Sequence, residues 1–189
     1  MKKSILILAL LLTAVSATSA KAGAYFGGRF GYDDQNLKAS GFREDDHTWF
    51  GSGIAGYRKG MWRIEAMYSY EPTKEYNNHE IKTISHVGLG MIYLQSSNPR
   101  NVILPYIGAG AGVAYNKIKT GTNASDPKTS FAWGAVAGVE LKVSKGFFLD
   151  FGGRYLDMGK AELKNKVTNA KEDFDIESWG GYAGLRFEY

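Results

Sequence analysis

The sequence predicts an all-β fold: a single eight-stranded, antiparallel, up-and-down transmembrane β-barrel. Three observations predict it. Eight separate segments alternate, residue by residue, between apolar side chains and polar or small ones. The connections between them alternate between tight turns and long polar stretches. The composition combines 24 Gly, 12 Tyr and 10 Phe with only 4 Pro in 189 residues. Long curved strands need that mixture, because glycine allows tight bends and proline interrupts a hydrogen-bonded ladder.

The first 22 residues read as a signal peptide. Lys2 and Lys3 supply the positive start, residues 5–15 are apolar except for Thr13, and Ala20-Lys21-Ala22 is a small-residue cleavage site, with cleavage after Ala20 or Ala22. The apolar run is shorter than the about 18 residues expected of a spanning helix. Residues 23–189 are then the barrel domain. Removing Lys2, Lys3 and Lys21 leaves 20 of the 23 bases against 19 acids, so the net charge falls from +4 to +1. A nearly neutral mature chain argues against a nucleic-acid partner. The absence of Cys excludes disulfides and thiolate metal sites and suits passage through an oxidising periplasm.

The strands follow in order. The first, 25–32, sets Phe26, Gly28, Phe30 and Tyr32 against Gly27, Arg29 and Gly31. The second, 48–57, has small residues that leave its phase open. In the third, 61–70, Trp62, Ile64, Ala66, Tyr68 and Tyr70 alternate with Arg63, Glu65, Met67 and Ser69. The fourth sets Val87, Leu89, Met91 and Tyr93 against His86, Gly88, Gly90 and Ile92. The fifth sets Ile107, Ala109, Ala111, Val113 and Tyr115 against Tyr106 and three glycines. The sixth sets Phe131, Trp133, Ala135, Ala137, Val139 and Leu141 against Gly134, Gly138, Glu140 and Lys142. The seventh sets Phe147, Leu149, Phe151 and Tyr155 against Asp150, Gly152 and Arg154. The eighth sets Trp179, Ala183, Leu185, Phe187 and Tyr189 against Tyr182, Gly184, Arg186 and Glu188.

Arg58-Lys59-Gly60, Ser144-Lys145-Gly146 and 96–101, with its Asn98-Pro99, are tight-turn signals. The connections 33–47, 71–80, 117–129 and 156–176 are long and polar. Short turns on one rim and long loops on the other are the pattern of an outer-membrane barrel, with both termini on the periplasmic side.

A bilayer offers no water to an open strand edge, so a spanning sheet must close. Its charged face then points inward and must pair. That face carries Arg29, Arg63, Arg154 and Arg186 with Glu65, Glu140, Asp150 and Glu188, and Lys142 lies near the rim. Four arginines against four carboxylates predict a buried ion-pair ladder. Arg63 with Glu65, Arg186 with Glu188 and Asp150 with Arg154 are the local pairs. An eight-stranded interior is only wide enough for its own side chains, so these charges read as structural filling and not as a catalytic pair, a proton path or a porin channel. Trp62, Tyr68, Tyr70, Tyr93, Trp133, Phe147, Tyr155, Trp179, Phe187 and Tyr189 are expected outside, in aromatic girdles.

The last eleven residues put apolar side chains at alternate positions up to a terminal aromatic. Leu185, Phe187 and Tyr189 therefore resemble the assembly signal that the barrel insertion machinery recognises. Together with Gly56-Tyr57-Arg58, Arg63-Ile64-Glu65, Pro105-Tyr106-Ile107-Gly108 and Gly152-Gly153-Arg154-Tyr155, they make residues 24–189 similar to the opacity-protein and surface-antigen family of small barrels. The resemblance implies a surface-exposed protein of the cell outer membrane of a Gram-negative bacterium, and adhesion or immune contact through variable loops.

Other motifs fail on context. Gly108, Gly110 and Gly112 repeat along a strand, whereas a nucleotide-binding loop must open a helix. Asn123-Ala124-Ser125 reads as a loop. His47, His79 and His86 lack ligand spacing, so neither a metal nor another cofactor is expected. Ser85 and His86 are adjacent and so face opposite ways, which argues against a lipid-modifying barrel enzyme. The first loop is acidic, the third leans basic and the fourth is mixed. The expectation is a monomeric, non-enzymatic surface barrel. Its partners would be outer-membrane lipids, lipopolysaccharide, the insertion machinery and a host surface ligand. A purely structural envelope barrel is the alternative.

Overall fold

The computed structural model describes residues 23–39, 42–72, 81–97, 101–120, 123–124, 128–164 and 171–189. The signal-peptide segment, the Asn98-Pro99 turn and His79 lie outside them. Eight long strands follow one another: β1 (Gly23–Ala39), β2 (Phe42–Lys59), β3 (Trp62–Pro72), β4 (Ile81–Gln95), β5 (Ile103–Thr120), β6 (Lys128–Ser144), β7 (Phe147–Lys164) and β8 (Lys171–Glu188). The pair Asn123–Ala124 adds two residues of strand against the end of β5. Each strand pairs antiparallel with its neighbour in sequence, and β8 pairs with β1, so the sheet closes into a barrel.

The register gives the closure its stagger. Following paired residues from Ala55 through Ala66, Gly90, Ala111, Trp133, Asp157, Glu177 and Asn36 returns to β2 at Asp45, ten residues from the start. Stagger of this kind goes with strands tilted about 35–45° to the barrel axis. Two short turns need glycine. Gly60 (φ 63°) leads from β2 into β3, and Gly146 (φ 82°) from β6 into β7. Both lie in the left-handed region, where a Cβ would strain the backbone.

The faces are those of a membrane barrel. Arg29, Arg63, Glu65, Glu140, Asp150, Arg154 and Arg186 are buried inside, whereas Phe30, Trp62, Ile64, Ile92, Ile107, Phe131, Trp179 and Leu185 are exposed outside. A soluble barrel would reverse this. The second strand, whose phase the sequence leaves open, turns Thr48, Phe50, Ser52 and Ile54 inward.

Two expectations need correction. Val87, Leu89, Met91 and Tyr93 face inward, not outward as their hydrophobicity suggests. They join Met67, Ala114, Ala132, Val136, Leu156, Met158 and Ile176 in an apolar wall inside the barrel. The bilayer side of β4 instead carries His86, Gly88, Gly90, Ile92 and Leu94. Either face of this strand is apolar enough for lipid, so alternation alone could not orient it. The second correction is length. The stretches 33–47 and 156–176 are mostly paired strand and not loop, with Asp33 to Ala39 zipped to Phe42 to Thr48 and Lys160 to Lys164 zipped to Lys171 to Asp175. A span takes about 9–11 residues, so strands of 17 and 18 residues project well past the bilayer. The sequence of these extensions is largely polar at successive positions, so no hydrophobic alternation marks them.

Candidate functional site: the ion-paired barrel interior

Near the short-turn rim the interior charges form one alternating chain. Asp150 accepts from Arg29 Nε at 2.8 Å, and Arg29 Nη1 donates to Glu65 at 2.7 Å. Glu65 faces Arg63 Nη2 at 3.7 Å, and Arg63 Nη1 pairs with Glu140. Arg186 Nη2 reaches Glu140 at 2.6 Å and its Nη1 reaches Glu188 at 2.8 Å; Arg58 ends the chain on Glu188 at 3.2 Å. Four carboxylates thus alternate with four arginines.

Aromatic hydroxyls fill the remaining valences. Tyr25 and Tyr93 donate to Glu65 at 2.9 and 2.6 Å. Tyr106 donates to Asp150 and lies 2.5 Å from the Tyr182 hydroxyl. Gln95 donates to Glu140. Arg63 Nε and Nη2 and Arg186 Nε lack a hydrogen-bond acceptor. Their guanidinium groups lie against rings instead: Arg63 is 3.9 Å from the Tyr93 centroid, and Arg186 is 4.2 Å from that of Phe148. Cation–π attraction offsets part of the lost hydrogen bonding in such desolvated places.

Toward the long-hairpin rim a second cluster forms around Arg154. Its Nη2 contacts Asp33 at 2.5 Å and Glu71 at 2.6 Å, and its Nη1 donates to Ser69 at 3.2 Å. Gln35 donates to Glu71 at 3.3 Å, Ser178 donates to Asp33 at 3.1 Å, and the Phe50 ring lies 3.2 Å from the guanidinium carbon. Asp33 and Glu71 belong to segments that the sequence pattern assigns to loops, so alternation does not mark this cluster. Arg154 and Asp150 share a strand face, but the structure gives each a partner elsewhere. Among the described residues the fully buried set is four arginines and five carboxylates.

The glycines on the inner face make this packing possible. A Cβ on Gly108 would come within 2.4 Å of the Tyr93 ring, and one on Gly138 within 2.5 Å of the Tyr106 hydroxyl. The interior is therefore occupied by the chain's own side chains, as a barrel of this size requires.

Outside, Phe26, Phe147 and Phe187 stack at the short-turn end, with ring centroids 5.0 and 5.5 Å apart. Leu185, Phe187 and Tyr189 all lie exposed on this outer face. At the other end Trp49, Tyr70, His86, Tyr115, Trp133 and Tyr155 ring the barrel. Ser85 is buried inside while His86 packs outside between Tyr68 and Tyr70, so the two cannot act together. No three His, Asp or Glu side chains converge as a metal-binding group among the described residues.

Known structures share this architecture. Neisserial surface protein A is 20% identical, with 90% of this chain and 100% of that chain covered and a TM-score of 0.68. The outer membrane protein OprG of Pseudomonas aeruginosa is 15% identical over 90% of this chain and 98% of its own, with a TM-score of 0.57. Ail, the attachment invasion locus protein of Yersinia pestis, seen with the heparin analogue sucrose octasulfate, is 18% identical over 87% of this chain and 99% of its own, with a TM-score of 0.52. At these identities the likeness is one of fold. A comparison with curated protein sequences finds no match. Residues 5–187 match the family described as the outer membrane protein beta-barrel domain, and with the closed, inside-out barrel above, the chain belongs to that family of outer-membrane proteins.

Proposed function

We propose that this protein is a non-enzymatic surface barrel whose projecting hairpins contact a host or environmental ligand. The supporting observation is the reach of those hairpins. Beyond the aromatic pair Tyr32 and Trp49, β1 and β2 stay zipped to Ala39 and Phe42. Beyond Tyr155 and Trp179, β7 and β8 continue to Lys164 and Lys171. A purely structural envelope protein would need the filled interior but not these paired extensions, and recognition is commonly carried by segments held out on a rigid scaffold. The third hairpin is lysine-rich at 117, 119 and 128. A sulfated polysaccharide is therefore the first ligand to test, the more so because Ail shares the architecture.

The test compares adhesion and heparin retention by cells carrying the full barrel with those of cells carrying barrels shortened within 37–44, 118–127 and 162–173, at equal surface levels. Unchanged adhesion and retention would count against ligand contact and leave the structural role. We also assign Leu185, Phe187 and Tyr189 to recognition by the insertion machinery, because they form an outward stripe on the strand that closes the barrel. Phe187→Ala should lower the heat-modifiable, membrane-inserted fraction without changing synthesis.

A further inference from the structure

The short-turn rim of the barrel carries basic side chains at the depth of the lipid headgroups. At the short-turn rim Lys59 and Lys145 are exposed and make no ion pair among the described residues. The nearby carboxylate Glu188 is already held by both Arg58 and Arg186. The two lysines lie across the barrel from one another, Lys59 at the end of β2 and Lys145 in the β6–β7 turn. They lie next to the lower aromatic belt: Lys59 is the cross-strand partner of Trp62, and Lys145 adjoins Phe147 across Gly146. At the opposite rim, among the described residues, carboxylates lie beside the aromatics, and Asp34 is paired with His47. Asp34 is the cross-strand partner of Trp179, Asp157 that of Glu177, and Trp133 Nε1 donates to Asp157 at 3.1 Å.

We propose that the short-turn rim gathers anionic phospholipids around the barrel, through Lys59 and Lys145, and that the carboxylate-bearing surface beside Trp179 at the other rim does not. The partner is a phosphate-bearing headgroup of phosphatidylglycerol type in the inner leaflet. Two lysines on opposite sides of the barrel at headgroup depth match separate lipids better than one soluble ligand. Basic residues beside a membrane attract anionic lipid by about 1 kcal/mol each, or about fivefold in local concentration. The proposal rests on the membrane-spanning reading and on the short turns facing the inner leaflet.

Two tryptophans serve as reporters. Barrels keeping only Trp62 (W49F, W133F, W179F) or only Trp179 (W49F, W62F, W133F) are reconstituted in phosphatidylethanolamine vesicles containing brominated phosphatidylglycerol or brominated phosphatidylethanolamine. Folding of each is verified by heat-modifiable gel mobility. Trp62 should be quenched by the anionic lipid with about fivefold preference, and Trp179 with none. K59Q/K145Q should abolish the preference at Trp62, and about 0.5 M salt should reduce it. Equal quenching of Trp62 by both lipids, the same preference at Trp179, or a preference surviving the double substitution overturns the proposal. If neither lipid quenches either tryptophan, the membrane-spanning reading falls, and the lipid proposal with it.

Discussion

Near the short-turn rim four bases alternate with four carboxylates, each carboxylate touching two arginines or an arginine and a tyrosine hydroxyl. Toward the long-hairpin rim one arginine, Arg154, faces two carboxylates, Asp33 and Glu71. The first region is charge-balanced and sits in the middle of the fold's cross-barrel packing. The second carries a surplus acid and has neutral donors to spread it, Gln35 and Ser69 to Glu71 and Ser178 to Asp33. Buried pairs are costly to desolvate and costlier to break. The balanced chain should therefore respond sharply to the loss of any member, whereas the mouth should tolerate, or gain from, the loss of one carboxylate.

The largest effect is expected of Arg63→Ala. It leaves Glu65 and Glu140 short of a partner and opens a void between Tyr93 and Tyr106. The loss should be about 3–5 kcal/mol, read by urea unfolding in detergent micelles, with the heat-modifiable gel band reporting how much folds. A loss below about 1 kcal/mol, the value of a surface pair, would show that the chain is not what ties these strands together.

Arg154→Met comes next, at about 1–3 kcal/mol, because two carboxylates lose their shared donor. Adding Glu71→Gln to it should recover part of that loss in the same titration. Gly108→Ala should cost a similar or smaller amount, about 1–3 kcal/mol, by pushing the Tyr93 ring off Glu65. Its control is Gly53→Ala on the lipid face, where an added Cβ meets nothing within 4 Å. A Gly53 variant as damaged as the Gly108 variant would mean that strand propensity, not interior packing, governs both.

The smallest and most discriminating change is Glu71→Gln compared with Glu140→Gln. At the mouth the substitution removes the surplus charge and keeps the shape, so stability should stay within about 0.5 kcal/mol of the parent or rise. At Glu140 the same substitution unbalances Arg63 and Arg186 and should cost about 2 kcal/mol. Equal losses at both positions would erase the distinction between the two regions.

Much of this arrangement was legible from residue order. Arg63 and Glu65, or Arg186 and Glu188, are two apart on one strand face, and the structure keeps each pair within contact range. The phases of β1, β3 and β5 to β8 follow from their alternation, and Gly60 and Gly146 mark turns that require them. What was not legible has specific causes. On β4 both faces suit lipid, so Tyr93 was placed on the wrong one. Asp33 and Glu71 lie past the hydrophobic band, where polar residues on both faces erase the period-two signal. Asp150 and Arg154 sit four apart but on a strand of extended rise, and each finds a nearer partner across the barrel.

The sequence by itself determined that the chain forms alternating strands, which residues share a face on most of them, and that the charged face must be sealed inside, because period-two patterning and the bilayer's lack of water leave no other solution. Only closure decided which charges meet. Arg29 reaches Asp150 across 121 positions of sequence, and Arg154 reaches Asp33 across the same separation. Such contacts depend on the ten-residue stagger with which β8 returns to β1, a property of the whole ring of hydrogen bonds that no single strand encodes.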